Sequence, residues 1–276
     1  MKKKKYVSKA SIYILLLAGS ALCLLPLVWM VRSSLMTSGQ IFEMPPKWLP
    51  NPIQWENYAE ALSALPFDLY FLNTFVYVFL GVIGTVISCS ISAYGLSRIR
   101  WKYRDLVFRI IISSMMLPFA VTLIPLYVIW NKVGITNSLL PLIIPCWFGN
   151  AFHIFLLRQF FMSIPHELDE SAKIDGASHF RIWLNLIIPI SRPVLVVVVL
   201  FSFLNIWNDF LGPLVYLNDG EKYTISVGLQ LFIGTYKAEW NLMMAAACVV
   251  VIPVIIVFLI GQRYFIEGIT MSGIKG

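Results

Sequence analysis

The chain has 276 residues, of which 59% are hydrophobic and only 13% are charged, and its formal net charge is +7. An ordinary soluble domain carries roughly 25% charged residues. This composition therefore excludes a soluble enzyme, a disordered protein and a disulfide-bonded secreted domain. The apolar runs approach or exceed the ~20 residues that a helix needs to cross a bilayer. Six such runs predict an all-α integral membrane protein with helices at 10–31, 70–97, 106–130, 139–161, 187–206 and 242–261.

The basic residues favour one side of this predicted bundle. If Lys2–Lys5 lie in the cytoplasm and the helices alternate, sixteen of the 21 Lys and Arg residues fall on the cytoplasmic side. Such a positive-inside bias places both termini in the cytoplasm. We interpret the basic surplus as a topology signal, and we expect no nucleic-acid partner.

The first apolar run, 10–31, is longer than the 7–15 residues of a cleaved signal peptide, so we predict an uncleaved first helix. A proline-rich outer segment of about 35 residues follows it, in which Trp48 and Trp55 are candidate interfacial anchors. Within this segment, Asn57–Ala64 is predicted to form a short surface helix. These features predict a lipid membrane as the protein's environment.

The second and third spans are joined by a basic loop, SRIRWKYRD (97–105). Its aromatic and cationic side chains suit an anionic leaflet, and we assign it that role. Pro118 and Pro125 interrupt the third span, because each removes a backbone hydrogen bond. The sequence leaves open whether that interruption borders a conduit or serves packing.

The most informative segment is the polar stretch MSIPHELDESAKIDGASHFRIWLNL (162–186). Pro165 fits a first helical turn, and the acidic residues after it suit the positive end of a helix. Gly176 can close that helix in a left-handed conformation. A second short helix is predicted to follow, and Pro189 is predicted to open the fifth span. The segment is therefore predicted to be a helix–turn–helix parallel to the membrane, and not a solvated linker.

Residues 167–189 resemble the EAA loop of binding-protein-dependent ABC importer permeases. The family pattern is Glu-Ala-Ala, three residues, glycine, and then nine residues before an Ile-x-Leu-Pro ending. This chain has Glu170-Ser171-Ala172, Gly176 and Leu186-Ile187-Ile188-Pro189 at that spacing. The departures are Ser171 in the second motif position and exchanges of Leu and Ile at the end. The version with Ile174-Asp175-Gly176 is typical of the carbohydrate branch.

Further segments resemble the same branch, which includes the maltose-permease second subunit: WLPNPIQWENY (48–58), LNTF (72–75), LPFAVTLIPLYVIWNKVGITNS (117–138), WNDFLGPLVYL (207–217) and QRYFIEGITMSGIKG (262–276). The resemblance implies the type I ABC importer permease fold with an EAA coupling helix. It implies a cytoplasmic N-terminus (1–9), a six-helix permease domain (10–266) whose coupling loop is 162–189, and a cytoplasmic tail (267–276).

The resemblance also implies partners. We expect a homologous second permease subunit, two copies of a cytoplasmic ATP-binding subunit, and an extracytoplasmic binding protein that delivers a sugar or oligosaccharide. The location implied is the bacterial inner membrane. The residues expected to couple to the ATPase are Glu167, Asp169, Glu170, Ser171, Ala172, Asp175 and Gly176.

The residues themselves agree that the energy comes from a partner. The sequence has no GxxxxGK[ST] phosphate loop, and we find no enzyme active site, cofactor motif or metal-ligand spacing. Three polar residues near the end of the fifth span, Asn205, Asn208 and Asp209, either line the solute path or make structural hydrogen bonds. Two alternatives stay open: a secondary transporter or channel without an ATPase, and an ABC permease for a non-sugar solute such as glycerol phosphate.

Overall fold

The computed structural model describes the backbone of residues 2–234 and 238–273 and the side chains of residues 9, 12–234 and 238–263. Within these ranges the regular structure is helical, with an isolated antiparallel bridge between Ile233 and Ala238. The last helix continues to Gly273, so part of the segment predicted as a tail is helical. Residues 274–276 of that tail lie outside the described residues.

The helices, numbered in chain order, range from single turns to more than thirty residues. A π-helical segment occupies Trp183–Ile187, and 3-10 turns occupy Ile144–Phe148 and Gly220–Lys222. The α-helices are α1 (Lys2–Ser34), α2 (Ser38–Ile41), α3 (Glu56–Ala64), α4 (Phe67–Ser97), α5 (Arg104–Ser114), α6 (Phe119–Val133), α7 (Leu140–Ile143), α8 (Ala151–Ser163), α9 (Glu167–Ile174), α10 (His179–Ile182), α11 (Ile188–Ile190), α12 (Arg192–Trp207), α13 (Leu211–Tyr216), α14 (Ile225–Leu231) and α15 (Trp240–Gly273).

Among the described residues, four segments are long and apolar enough to cross a membrane, and two bent helix pairs pass the same criterion. Counting each bent pair as one span gives the six spans predicted from the sequence. The continuous spans are Ile12–Ser34, Phe67–Ser97, Leu140–Ser163 and Trp240–Arg263, and the bent pairs are Arg104–Ser114 with Phe119–Val133 and His179–Ile190 with Arg192–Trp207.

The described residues form two compact units. The first contains residues up to 67 together with 228–252, and the second contains 68–227 and the residues from 253 onward. In the first unit, Asn57 donates to the carbonyls of Ser34 (2.8 Å) and Met36 (2.9 Å) and accepts from the Asn241 amide (3.1 Å). The surface helix predicted at 57–64 is confirmed as α3, and this buried amide fixes it to α1 and α15.

The third span is bent by 97° between α5 and α6. Pro118 lies at the break in an extended conformation, with φ −61° and ψ 138°, and precedes the first residue of α6. Pro125 lies inside α6, which continues through it. The predicted interruption is confirmed at Pro118, and the prediction that Pro125 also interrupts the span is wrong.

The fifth span is bent by 83° between the segment His179–Ile190 and α12. The bend falls at Ser191, whose φ and ψ are −88° and 11°. The prediction that Pro189 opens the span is wrong, because Pro189 lies in α11, before the bend. Pro193 fills the first turn of α12 instead, where a missing N–H costs no helical hydrogen bond. Residues 179–190 form the first limb of this bent pair, and α12 forms the second.

The fourth span changes from a 3-10 turn to α8 at Gly149, whose φ is +89°. Backbone groups freed by such a break within a membrane need partners from the protein. Ser88 of α4 donates to the Cys146 carbonyl (3.3 Å), and the Asn150 side chain caps α8 by accepting from Phe152 N–H (3.0 Å). The second and fourth spans approach closely here, since a Cβ on Gly84 would lie 2.6 Å from the Trp147 ring.

Candidate functional site

The loop that contains the EAA-like motif, residues 162–189, is called the coupling loop below. Its first helix is α9, and the expected acidic first turn is present, with Glu167, Asp169 and Glu170 near the helix N-terminus. Negative charge there is stabilised by the helix dipole. Pro165 lies one residue before the cap residue His166, and therefore outside the first turn in which we predicted it.

Gly176 ends α9 in the left-handed conformation that the sequence predicted, with φ +78°. Its N–H donates to the Lys173 carbonyl (3.0 Å), and the next N–H, of Ala177, donates to the Ala172 carbonyl (2.9 Å). This pair of hydrogen bonds is the Schellman motif. A Cβ at Gly176 would meet nothing within 4 Å, so the requirement for glycine comes from the backbone conformation.

The two faces of α9 differ in exposure and in chemistry. Toward the protein, Asp169 is only 4% exposed and Ala172 packs against the core of the second unit. Away from it, Ile174 is 87% exposed and Leu168 is 40% exposed. Five of the seven residues expected to couple to the ATPase lie exposed: Glu167, Glu170, Ser171, Asp175 and Gly176. The structure thus places five of the seven on the exposed side of α9 and its C-terminal turn, and it places the side chains of Asp169 and Ala172 on the inward face.

Asp169 forms a buried ion pair with Arg98, which follows the last residue of α4. Arg98 Nε lies 2.8 Å from Asp169 Oδ2, and the two side chains are 0% and 6% exposed. The same guanidinium donates to the carbonyls of Phe161 (3.0 Å), Ile164 (2.7 Å) and Pro165 (2.9 Å). Removing one member of a buried pair costs ~3–5 kcal/mol, because the other charge stays buried without compensation.

A second buried arginine, Arg158, connects α8 back to the end of α4. Arg158 of α8 donates from Nε to the Leu96 carbonyl at the end of α4 (3.0 Å). Its guanidinium lies 3.9 Å from the centre of the Phe108 ring and 3.2 Å from Asp105 Oδ1. We call Arg98, Arg158, Asp169 and Asp105 the arginine clasp. The clasp connects α4, α8, α5 and α9.

The sequence reasoning missed the clasp. It assigned the basic loop 97–105 to the lipid surface, whereas Arg98 is fully enclosed by protein. The signal available was position, since Arg98 immediately follows a long helix, where free carbonyls and the negative end of the helix dipole favour a cation. The partner residue, 71 positions further along the chain, has no local signature.

The three candidates for the solute path differ in their surroundings. Asp209 accepts hydrogen bonds from the Tyr77 hydroxyl (3.1 Å) and the Gly212 N–H (3.1 Å), so both carboxylate oxygens have protein partners. Burial raises the pKa of the Asp209 carboxyl, and these two donors oppose that rise. Asn208 is exposed and donates to the Leu204 carbonyl (2.7 Å), and Asn205 is exposed on α12.

The hydrogen bonds of Asp209 are those expected from the structural alternative, and the side chains of Asn205 and Asn208 are the more exposed of the three. Metal-binding groups of three or more His, Cys, Asp or Glu side chains are absent from the residues that the structure describes.

Within the described residues, six apolar spans, two of them bent, and a polar loop helix attached to them define a helical membrane protein. Residues 84–270 match the family described as the binding-protein-dependent transport system inner membrane component. The matched region includes the second half of α4, the clasp and the coupling loop, and the chain belongs to this family.

Relatives support the assignment over nearly the whole length. The chain is 32% identical to the sn-glycerol-3-phosphate transport system permease protein UgpE of Yersinia pestis, over 94% of this chain and 95% of that protein. It is 31% identical to the diacetylchitobiose uptake system permease protein NgcG of Streptomyces coelicolor, over 90% of this chain and 83% of that protein.

A solved structure shows the same fold. It is a bacterial ABC transporter involved in the import of the acidic polysaccharide alginate, with a TM-score of 0.81 and 27% identity. The match covers 92% of this chain and 95% of the solved chain. The prediction of a type I ABC importer permease with an EAA coupling helix is confirmed.

Proposed function

We propose that the chain is one permease subunit of an ATP-driven importer for a sugar or oligosaccharide. With a homologous second permease it forms the path, an extracytoplasmic binding protein delivers the solute, and two cytoplasmic ATP-binding subunits dock on the coupling loop. Membership of the binding-protein-dependent family and the likeness to the diacetylchitobiose and alginate systems support this proposal. The protein is a multi-pass component of the bacterial inner membrane with both termini in the cytoplasm.

The observation that carries the proposal is the outward face of α9. Outside the spans, Ile174 is 87% exposed and lies one helical turn after the exposed Glu170, and an apolar side chain next to a charged one suits a protein partner. The inward face is fixed by Asp169 and Ala172, so the helix is held in place before a partner arrives. We assign Glu167, Glu170, Ser171 and Asp175 to the docking surface, whereas Ala172, expected from the sequence to belong to it, packs inward. Asp169 and Gly176 hold that surface in position.

The chain itself is not an enzyme in this proposal, because the energy of ATP hydrolysis enters through α9. For the solute path we propose Asn205, with Asn208 beside the end of α12, since exposed amides within a membrane need a partner or water. Asp209 holds the start of α13 through Gly212. Uncharged amides suit a neutral hydroxylated solute.

The test is assembly and stimulated hydrolysis. The tagged chain, purified from its native membrane, is expected to bring an ATP-binding subunit and a second permease. In proteoliposomes, the binding protein loaded with oligosaccharide is expected to stimulate ATP hydrolysis. Purification of the chain without an ATPase, or solute uptake that follows an ion gradient without ATP, would instead support a secondary transporter.

The related glycerol-phosphate permease UgpE favours one second candidate, a glycerol-phosphate importer. The same proteoliposomes distinguish the two by exchanging the solute on the binding protein. Stimulation by sn-glycerol-3-phosphate, and none by di- to pentasaccharides, would replace the sugar assignment and leave the permease assignment intact.

Topology is tested separately with cysteine replacements on a background that lacks the four native cysteines. Lys173 and Lys222 both lie exposed or half-exposed, on loops that we place on opposite sides. An impermeant thiol reagent added to intact cells is expected to label position 222 and not position 173. The reverse pattern would contradict the six-span orientation. Arg98, a loop residue by sequence, is unsuitable as a probe because it is buried.

A further inference from the structure

The ends of α4 and α8 cap each other through their arginines. The last carbonyls of a helix have no intrahelical donor. Arg98, at the end of α4, donates to the carbonyls of Phe161 and Ile164 at the end of α8. Arg158 of α8 donates in return to the Leu96 carbonyl of α4. The two helix ends are thus joined by three charge-assisted hydrogen bonds in both directions.

The coupling helix is attached to the same guanidinium. Arg98 Nε donates to Asp169 Oδ2 (2.8 Å), and Nη2 donates to the carbonyl of Pro165, which lies between α8 and α9 (2.9 Å). Four acceptors from the end of α8, the linker and α9 therefore share one planar side chain. A lysine at position 98 offers a single ammonium, and its geometry cannot match this fork.

We propose that Arg98 is a positioning residue for transport, which makes the ends of α4 and α8 and the coupling helix α9 move as one body. The inference rests on the proposed function, and it assigns a role to a residue outside the EAA-like motif. When the ATPase displaces α9, α4 in the second span and α8 in the fourth span move with it, because the linker at 164–166 does not bend.

Arg98, and not Arg158, makes the main connection, because its ion pair is the more deeply buried. The Arg98–Asp169 pair is 0% and 6% exposed, so water does not screen it. Arg158 pairs with Asp105, whose side chain is 67% exposed, and an ion pair that open to solvent contributes little. Without Arg98, the covalent connection from α8 to α9 is Ile164–Pro165–His166, and the remaining restraints are apolar packing such as that of Ala172 and the contact of the Tyr94 hydroxyl with His179 Nδ1 (3.2 Å).

The first test measures the distance within the proposed body. Spin labels are placed at Ser163 and Lys173, both exposed, in the assembled transporter with the native cysteines replaced. In the native Arg98 background we expect the same distance distribution without nucleotide and with ATP. In Arg98→Gln we expect the distribution to broaden or to shift with nucleotide. Arg100→Gln, an exposed arginine of the same loop, is the matched control and is expected to behave as native.

The second test measures solute transported per ATP hydrolysed in proteoliposomes. Arg98→Gln is expected to lower this ratio about tenfold, with hydrolysis itself retained, and Arg98→Lys is expected to recover part of the loss. Arg100→Gln is expected to leave the ratio unchanged.

A nucleotide-dependent change of the 163–173 distance in the native background would overturn the proposal, and so would an undiminished ratio in Arg98→Gln. If Arg98→Gln fails to assemble, the 163–173 distance in the native background still shows whether the end of α8 and α9 move as one body. Absence of any bound ATPase in the native preparation would refute the proposed function instead, which separates the two failures.

Discussion

The two ends of α4 are held by different chemistry. In its first turns, Asn73 donates to the carbonyls of Glu221 (2.9 Å) and Tyr223 (3.0 Å), and Tyr77 donates to Asp209. After its last residue, Arg98 makes a buried ion pair and three hydrogen bonds to carbonyls. Uncharged donors hold the first end, and a cation enclosed by protein holds the second.

The difference has a physical consequence. A hydrogen bond between neutral groups contributes ~0.5–1.5 kcal/mol net, because water offers a similar partner when it breaks. Water cannot replace the acceptors of a buried arginine in this way, so breaking its contacts leaves a charge that is not solvated. Separating the Asn73 end from its partners is therefore expected to cost less free energy than separating the Arg98 end. The Arg98 end suits a region in which α4, α8 and α9 stay attached to one another during transport.

The largest effect on stability is expected from Arg98→Met. It leaves the Asp169 carboxylate buried without its cation, and we expect a loss of ~3–5 kcal/mol. The measurement is denaturation of the purified transporter by heat or denaturant, followed by loss of the assembled complex. Arg100→Met removes an exposed arginine of the same loop and should cost less than ~1 kcal/mol. Equal losses in the two variants would show that burial of Arg98 is unimportant.

The next effect is expected from Gly176→Val. A side chain at φ +78° costs ~1–2 kcal/mol, and more for a β-branched residue, so the end of α9 should be redirected and transport lost. Asparagine tolerates this conformation, and Gly176→Asn should retain most uptake. Gly134 ends α6 at the same φ of +78°, so Gly134→Val is the control for backbone strain away from the coupling loop. Transport lost equally in both valine variants would mean that strain alone, and not the position of α9, accounts for the loss.

At the other end of α4, Asn73→Ala should cost ~1–2 kcal/mol, since one amide makes two neutral hydrogen bonds there. We expect the ratio of transport to ATP hydrolysis to stay near the native value, in contrast to Arg98→Gln. The measurement is the same pair of assays, thermal denaturation and proteoliposome transport. A loss of stability as large as that of Arg98→Met would remove the contrast between the two ends.

The smallest effect on stability is expected from Glu170→Lys, which changes an exposed residue of α9. The permease should insert and denature as the native protein does, while the charge reversal lowers co-purification of the ATPase. Lys173→Ala, on the same exposed helix, is the control and should keep both assembly and uptake. Native assembly and uptake in Glu170→Lys would mean that this side chain takes no part in docking.

Features set by local chemistry could be predicted from the sequence. Six apolar runs gave the spans, Pro118 marked the bend of the third, and Gly176 marked the end of α9, because each depends on residues a few positions apart. The bend at Ser191 was missed since Pro189 and Pro193 offer two equivalent starts for α12. Pro165 was predicted in the first turn of the loop helix, and it lies one residue before the cap residue His166.

Contacts between distant residues could not be predicted. Asp169 and Glu170 are adjacent acids in the same motif, yet one is buried and the other exposed, because only the first faces α4. The burial of Arg98 depends on carbonyls at 161–165, and the structural role of Asp209 depends on Tyr77, 132 residues earlier. Tertiary packing decides these roles, and no local pattern encodes them.

In the proposed importer, the outward face of α9 contacts an ATP-binding subunit. A photo-crosslinking amino acid placed at Ile174, which is 87% exposed, tests it in intact membranes of the native host. Val133, 62% exposed at the end of α6, is the control position. We predict an adduct with the ATP-binding subunit from position 174 and none from position 133. No ATPase adduct from position 174, in membranes where the complex is assembled, would contradict the account.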